Sequence, residues 1–198
     1  MHGGEPLINP KLHQYIDAIP EDVIDQTSIL ICTNATVYDP KLIKKLKKFK
    51  QIEFTLSIDA YGELNDTIRV GSKWNDVEEN FKKYLNLSDD KFKVIVNCTL
   101  SLYNILNLDQ FLYWIADYKS AFLNINPVYD PSFLSPFNLP PDWRILVKRK
   151  LTDVDNNTKD VKVKLIIRGI LDSIDRYSFD ESKWHDFKTY TKNLTYNK

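Results

Sequence analysis

Small polar residues follow the apolar, strand-like runs of this sequence, and their types are suited to binding a ligand. They are Thr33 and Asn34 after the first run, Ser57 and Asp59 after the second, and Asn97 and Thr99 after the third. In α/β proteins, ligands bind at the carboxyl ends of the strands. The hydroxyl, amide and carboxylate groups at these positions are therefore candidates to line a cavity.

Two further segments carry residues of the same kind. Gly3-Gly4-Glu5-Pro6 stands just before a predicted helix, where a glycine pair lets the backbone approach a ligand closely. Arg69 lies in the polar stretch 65–71, soon after the second strand. Simpler interpretations remain open for each: a flexible N-terminus for residues 3–6, and a surface ion pair for Arg69. Thr33-Asn34 is also consistent with an Asx-type turn, and Asp59 with a cap on local backbone groups.

No metal site is predicted. Cys32 and Cys98 are too few and too far apart for a metal knuckle or a redox pair. The three histidines are scattered, and we expect His13 to be a surface or packing residue on the first helix. The stretch 153–164 opens like a calcium loop but lacks the glycine and the final glutamate that such a loop requires.

The elements that must position these residues alternate between strands and helices. We predict strands at 28–33, 52–58, 92–98 and 121–125, with helices starting at Asn9-Pro10, at Asp39-Pro40 and at an apparent capping box on Asn75. Strand followed by helix, repeated, predicts parallel strands joined by crossover helices. The expected class is α/β, with part of a (β/α) barrel or a doubly wound sheet.

After residue 125 this alternation stops. The segment 126–141 is rich in proline and aromatic residues, which predicts an irregular, packed loop. Helices are predicted at 141–151, 161–174 and 180–193. We therefore divide the chain into a barrel-like part, residues 1–130, and a loop with a helical C-terminal extension, residues 131–198.

Composition narrows the classes of partner. The chain has 198 residues, 27 basic and 27 acidic, so its formal charge is zero. This balance gives no reason to expect nucleic acid or a membrane as a partner. No apolar run reaches the length of a membrane span, and the first residues resemble neither a signal nor a transit peptide. We expect a cytoplasmic protein.

Taken in order, four segments resemble motifs of the radical S-adenosylmethionine (radical SAM) superfamily, in the branch with SPASM or twitch-like C-terminal regions. Gly3-Gly4-Glu5-Pro6 resembles the GGEP motif, Thr33-Asn34-Ala35 the TNG position, and Ser57-Ile58-Asp59 the S-x-D position. Residues 65–71 resemble the HDxxRG element, and the likeness covers roughly residues 3–130. The resemblance implies an incomplete parallel (β/α) partial TIM-type barrel with a helical C-terminal extension.

The resemblance also implies roles for the candidate residues. The backbone of Gly3, Gly4 and Glu5 would hold the methionine amino group of S-adenosylmethionine, with Pro6 completing that motif. Ser57, Asp59 and Arg69 would face its carboxylate or ribose. The residues that would line the rest of the cavity are Thr33, Asn34, Asn97 and Thr99.

The family's defining CxxxCxxC segment does not occur in these 198 residues. Three thiolates are needed to hold a [4Fe–4S] cluster with one open iron. The parent chemistry implied is reductive cleavage of S-adenosylmethionine to a 5′-deoxyadenosyl radical, which takes hydrogen from a substrate that is a peptide or a small metabolite. We expect this chain to be a fragment, inactive alone, with neither cofactor bound. Two alternatives stay open: a cluster-free protein that binds an adenosyl compound or another protein, and one half of a split enzyme.

A sheet without its first strands would expose an edge at 28–33. We also expect the side chains of Ile29, Ile31, Phe54, Leu56, Val94 and Val96 to lose their cover, because parallel sheets are normally buried on both faces. Exposed apolar edges pair with other chains. This predicts a homodimer across the edge or the open barrel face; capping by the C-terminal helices is the alternative.

Overall fold

The computed structural model describes residues 4–118 and 121–196, with the side chains of 195 and 196 left out. It is an α/β structure with four strands in one sheet, in the order β1-β2-β3-β4. The strands are β1 (Ser28–Thr33), β2 (Gln51–Ser57), β3 (Phe92–Leu100) and β4 (Phe122–Pro127). β1 pairs with β2 and β2 with β3, in both cases in parallel, as predicted.

Nine α-helices are found among the described residues. They are α1 (Leu12–Asp17), α2 (Glu21–Ile24), α3 (Pro40–Leu46), α4 (Glu63–Ile68), α5 (Trp74–Leu85), α6 (Leu108–Ala116), α7 (Pro141–Asn157), α8 (Val161–Arg176) and α9 (Glu181–Tyr196). A 3-10 turn, Pro6–Ile8, precedes α1. None of the described helices is both long and apolar enough to cross a bilayer.

The described residues form two compact units. One contains the residues up to Cys98 together with 121–124, and the other contains 99–118 and the residues from 125 onward. In the second unit, α7 and α8 pack together. The side chain of Asn138 there both accepts from the Asp180 amide at 2.7 Å and donates to the Asp180 carbonyl at 3.1 Å, just before α9 begins.

Helix starts in the first unit follow the sequence in one case and depart from it in two. The predicted start at Asn9-Pro10 is wrong, because α1 begins at Leu12 and the Asn9 side chain accepts from the Lys11 amide before the helix starts. Asp39 caps α3, accepting from the amides of Lys41 and Leu42, with Pro40 in the first turn, as predicted. The capping box predicted at Asn75 is wrong, because α5 begins one residue earlier. Its first amide, that of Trp74, donates instead to the Asp66 carboxylate of the preceding helix at 2.8 Å.

The buried face of the sheet is the one that we expected to be uncovered. Phe54, Leu56, Val94 and Val96 are completely buried, and Ile31 is nearly so. They share the core with apolar residues of α3 and α5; the rings of Phe54 and Tyr84, for example, lie 4.8 Å apart. The expectation that they lose their cover is therefore wrong for these five residues, whereas Ile29, the sixth, is only half-buried.

The opposite face of the sheet is the accessible one. Leu30 is 61% exposed, and Cys32, two residues on, is also exposed. In register with Leu30 on the neighbouring strands stand Glu53 and Lys93. A face that carries charged and hydroxyl side chains needs no apolar cover, so it tolerates water where the other face does not.

Candidate functional site

A cavity of about 360 Å³ lies at the carboxyl ends of β1 and β2. Its lining consists of Gly4, Glu5, Cys32, Thr33, Asn34, Ser57 and Arg69. Six of these seven are candidates predicted from the sequence. They come from four separate stretches of the chain. Parallel pairing of β1 with β2 brings the carboxyl ends of these two strands side by side.

The other candidates lie elsewhere. Pro6 borders a neighbouring apolar groove, and Asp59 lies behind Arg69. Asn97 is on β3, in register with Ser57, but is not part of the cavity lining. Thr99 belongs to the second unit, where its carbonyl accepts from the Asn104 side chain at 2.9 Å. Gly3 lies outside the described residues.

Cys32 is the lining residue that we did not predict. It stands one position before Thr33 in β1, and side chains alternate along a strand, so Cys32 points to the accessible face while Thr33 is buried. β1 is a nearly continuous apolar run, so its sequence alone does not show which face is accessible. The signal that could have found Cys32 is its place in the predicted strand, next to the candidate Thr33.

Glu5 joins the N-terminal segment to the end of β1. Its carboxylate accepts from the Thr33 hydroxyl at 2.6 Å and from the Asn34 amide at 2.7 Å, and it also caps the turn at Leu7. Gly4, just before it, has a φ of 80°, a conformation that side-chain-bearing residues rarely adopt. The backbone is therefore turned sharply at the cavity wall and fixed there by a carboxylate.

The loop that leaves β1 is tied to itself as well. The Asn34 side chain accepts from the amide and the hydroxyl of Thr36, at 3.0 and 2.7 Å, which is an Asx-type turn. The Thr33 hydroxyl accepts from the Ala35 amide at 3.1 Å. The Asx-type interpretation of Thr33-Asn34 is thus confirmed, and the turn borders the cavity rather than replacing it.

Arg69 is held in the cavity wall by Asp59. Its Nη2 lies 2.8 Å from an oxygen of the Asp59 carboxylate, and that aspartate is almost fully buried. The helix α4 supports both partners: the Asn65 side chain accepts from the Asp59 amide, and the Asn65 carbonyl accepts from the Arg69 amide. The Arg69 Nε is buried and has no hydrogen-bond partner among the described residues.

Cys98 is also in contact with this group. Its thiol donates to the Asp59 carbonyl at 3.5 Å. Burial, and secondarily the charge of Asp59, raises the pKa of Cys98, so the sulfur remains a neutral thiol. A buried neutral thiol is a packing residue and a weak donor, not a metal ligand.

The arrangement is suited to an amino-acid-like ligand. A guanidinium with unused donor capacity is the group that best binds a carboxylate. Hydroxyl, amide and carboxylate groups surround it, and the cavity is large enough for the polar part of a small molecule.

Comparison with known families agrees with the motifs. The sequence model of the Radical SAM superfamily matches residues 1–114, which include every residue of the cavity lining. No curated protein matches the chain. The match, with the parallel strands, confirms the predicted fold class, an incomplete parallel (β/α) barrel. Because the matched region is more than half of the 198 residues, this chain belongs to the radical SAM superfamily.

Proposed function

We propose that the cavity at the ends of β1 and β2 binds S-adenosylmethionine by its methionine part. The superfamily in general uses S-adenosylmethionine with a [4Fe–4S] cluster. The observation that carries the proposal is the Arg69 guanidinium, fixed by Asp59 at the cavity wall with a buried, unpartnered Nε. The Arg69 side chain is 26% exposed at this wall, so its guanidinium can donate to a ligand carboxylate in the cavity.

The other lining residues take complementary roles in this proposal. The backbone at Gly4 and Glu5 receives the amino group, and the Ser57 hydroxyl donates to the carboxylate or the ribose. Thr33 and Asn34 are already bonded to Glu5, so they keep that backbone in place. When bound in a complete enzyme, S-adenosylmethionine supplies a 5′-deoxyadenosyl radical for hydrogen abstraction from a substrate. The assignment to the SPASM or twitch-like branch remains part of the proposal.

The residues present do not fit the cluster. Three thiolates are needed, and the sequence contains two cysteines, one exposed on β1 and one buried against Asp59. No group of three or more potential metal ligands occurs among the described residues. We propose that the cluster thiolates belong to polypeptide outside these 198 residues, and that the chain alone does not cleave S-adenosylmethionine. In the split-enzyme alternative that polypeptide is a separate chain, whereas a cluster-free binding protein needs no such thiolates.

Binding of S-adenosylmethionine to the purified chain tests the proposal. Without the cluster iron to anchor the amine and carboxylate, a few hydrogen bonds remain, each worth about 0.5–1.5 kcal/mol. We expect binding so weak that it is detected only in an NMR titration at high ligand concentration, so that the purified chain carries no S-adenosylmethionine. Arg69→Gln should weaken it about tenfold or more, the effect of losing a charged hydrogen bond of at least about 1.5 kcal/mol.

Arg149, an exposed arginine of α7, provides the matched control. Arg149→Gln should leave the affinity unchanged. Equal affinities for Arg69→Gln and the unaltered chain would overturn the assignment of Arg69. A sub-micromolar dissociation constant would instead favour the cluster-free binding protein.

A further inference from the structure

Two side chains of α5 hold the backbone of the loop that borders the cavity. Asn80 donates through Nδ2 to the Ala35 carbonyl at 3.0 Å, and the Tyr84 hydroxyl donates to the Val37 carbonyl at 2.9 Å. The two residues are four apart, so they lie one above the other on the same face of the helix. Asn80 is 8% exposed and its bond to the Ala35 carbonyl is buried, so water does not compete effectively for that carbonyl.

Burial raises the pKa of the Tyr84 phenol, and the nearby charge of Glu5 adds to this effect. The phenol therefore remains a donor over the whole useful pH range. The amide of Asn80 is a donor at any pH. The loop is thus held by two uncharged groups that do not titrate near neutrality.

Ala35 has an unfavourable backbone conformation. Its φ is 61°, the one positive value of a non-glycine residue among the described parts of the chain, and the residue is fully buried. For an L-residue with a Cβ, this left-handed conformation is disfavoured about five- to thirtyfold against the right-handed one. Such a conformation persists only where surrounding contacts determine it.

The strained residue follows directly on two residues that line the cavity. Thr33 and Asn34 are both bonded to the Glu5 carboxylate, and the Ala35 amide donates back to the Thr33 hydroxyl. If Ala35 relaxed to a right-handed conformation, its amide and carbonyl would turn together. The Thr33 hydroxyl would then lose one of its two partners, and the cavity wall would lose its present form.

We propose that Asn80 is a positioning residue for the S-adenosylmethionine cavity, because its bond to the Ala35 carbonyl maintains the left-handed turn that places Thr33 and Asn34. This inference rests on the proposed function for the identity of the ligand. It adds that the affinity of the cavity depends on a helix that does not line it. Asn80 acts through Ala35 and is not a contact of the ligand.

Glycine at position 35 separates positioning from ordinary stability. Gly adopts the left-handed conformation without the Cβ penalty, so a chain with Ala35→Gly no longer needs Asn80 to maintain the turn. We expect Asn80→Ala to weaken S-adenosylmethionine binding about five- to thirtyfold. This factor is the preference of Ala35 for the right-handed conformation, which the lost bond no longer opposes. The double variant Asn80→Ala/Ala35→Gly should recover most of this loss, although its melting temperature stays below that of the unaltered chain.

Tyr84→Phe is the matched control, since it removes the neighbouring bond from the same helix face. Val37 does not have a positive φ, so glycine at position 35 should not reverse any effect of this variant. If Asn80→Ala does not fold, Asn80→Ser carries the same test, because the serine hydroxyl is too short to reach the carbonyl.

Amide hydrogen exchange gives a readout that needs no ligand. The amides of Ala35 and Thr36 donate within the turn, so their exchange should accelerate in Asn80→Ala and slow again in the double variant. If the unaltered chain binds no S-adenosylmethionine while this exchange pattern is found, the proposed function fails and the positioning role stands. If Ala35→Gly restores neither affinity nor protection, the positioning role is overturned.

Discussion

At the scale of single residues, the site is built from pairs in which one member supports the other. Asp59 and Arg69 were both expected to face the ligand, but Arg69 lines the cavity and Asp59 lies behind it. The Glu5 carboxylate likewise accepts from Thr33 and Asn34. Sequence motifs identify which residues belong to a site. They do not show which residue touches the ligand, because that depends on side-chain directions set by packing.

This difference predicts how the two residues combine. Asp59→Asn removes the charge that aligns Arg69. We expect about a fivefold loss of S-adenosylmethionine affinity, because the charged hydrogen bond is replaced by a neutral one that is about 1 kcal/mol weaker. In an Arg69→Gln background the same change should cost nothing further, because the group that Asp59 aligns is then absent. Titration of the two single variants and the double variant measures the coupling. Independent, additive losses would show instead that Asp59 contacts the ligand itself.

At the scale of elements, α3 and the N-terminal helix are joined by a contact that the sequence did not predict. His13 of α1 lies 2.6 Å from the Asp39 carboxylate, the cap of α3, although we expected His13 to be a surface or packing residue. Residues 26 positions apart give no local sign of such a pairing. The cap itself was predictable, since an aspartate before a proline is a local signal.

The pKa of Asp39 makes this contact testable. Burial alone would raise that pKa, but hydrogen bonds from the Leu42 amide, His13 and the Lys41 amide bring it below its ordinary value of 3.8. A lowered pKa in the folded state means that the carboxylate stabilises the fold above pH 3.8. The contribution is lost as the pH falls through the lower folded value.

We therefore expect Asp39→Ala to lower the free energy of unfolding by about 1 kcal/mol at pH 7, the usual loss for an N-cap. The difference from the unaltered chain should shrink as the pH falls below 3.8. Urea unfolding across that range measures it, with the exposed Asp90→Ala as the control. Asp39→Asn keeps a capping oxygen, so a loss similar to that of alanine would assign the effect to the pairing with His13.

Pairing of the edge strand β1 with a second copy of the chain stays a prediction. Among the described residues it pairs with β2 alone, and its sequence contains neither a charge nor a proline that would discourage a further strand. We expect a homodimer across this edge, which the zero formal charge of the chain does not oppose. Leu30→Lys should convert it to a monomer in light scattering, whereas Leu165→Lys, at an equally exposed leucine of α8, should not. A monomeric unaltered chain at tens of micromolar would contradict the dimer.

At the scale of the whole molecule, what was predictable followed from repetition. The alternation of strand and helix identified the α/β class, and the limits of β1 were predicted to the residue. The choice of buried face was wrong, because both faces of β1 carry apolar residues and only the covering helices distinguish them. The contact at the start of α5 was not predicted either, because the Asp66 carboxylate that accepts from its first amide belongs to another helix.

The cysteine content predicts how the isolated chain behaves with iron. With two cysteines, one of them a buried thiol whose pKa is raised, anaerobic reconstitution with iron and sulfide should give no stoichiometric [4Fe–4S] species. Absorption in the visible region, with iron and sulfide analysis, measures the outcome. A chromophore that scaled with protein and disappeared in Cys32→Ala/Cys98→Ala would refute the prediction.

The order of the strands has a consequence for how the chain is made. β1, β2 and β3 pair in the order in which they leave the ribosome, so each new strand adds to an edge that is already complete. Among the described strands, none has to enter between two earlier ones, and the entropic cost of closing each connection grows only slowly with its length. The strand ends that form the cavity, together with α4 and its Arg69, are therefore synthesised before most of the second unit. The cavity wall is then assembled before the second unit is complete, although the α5 residues that hold its loop arrive one element later.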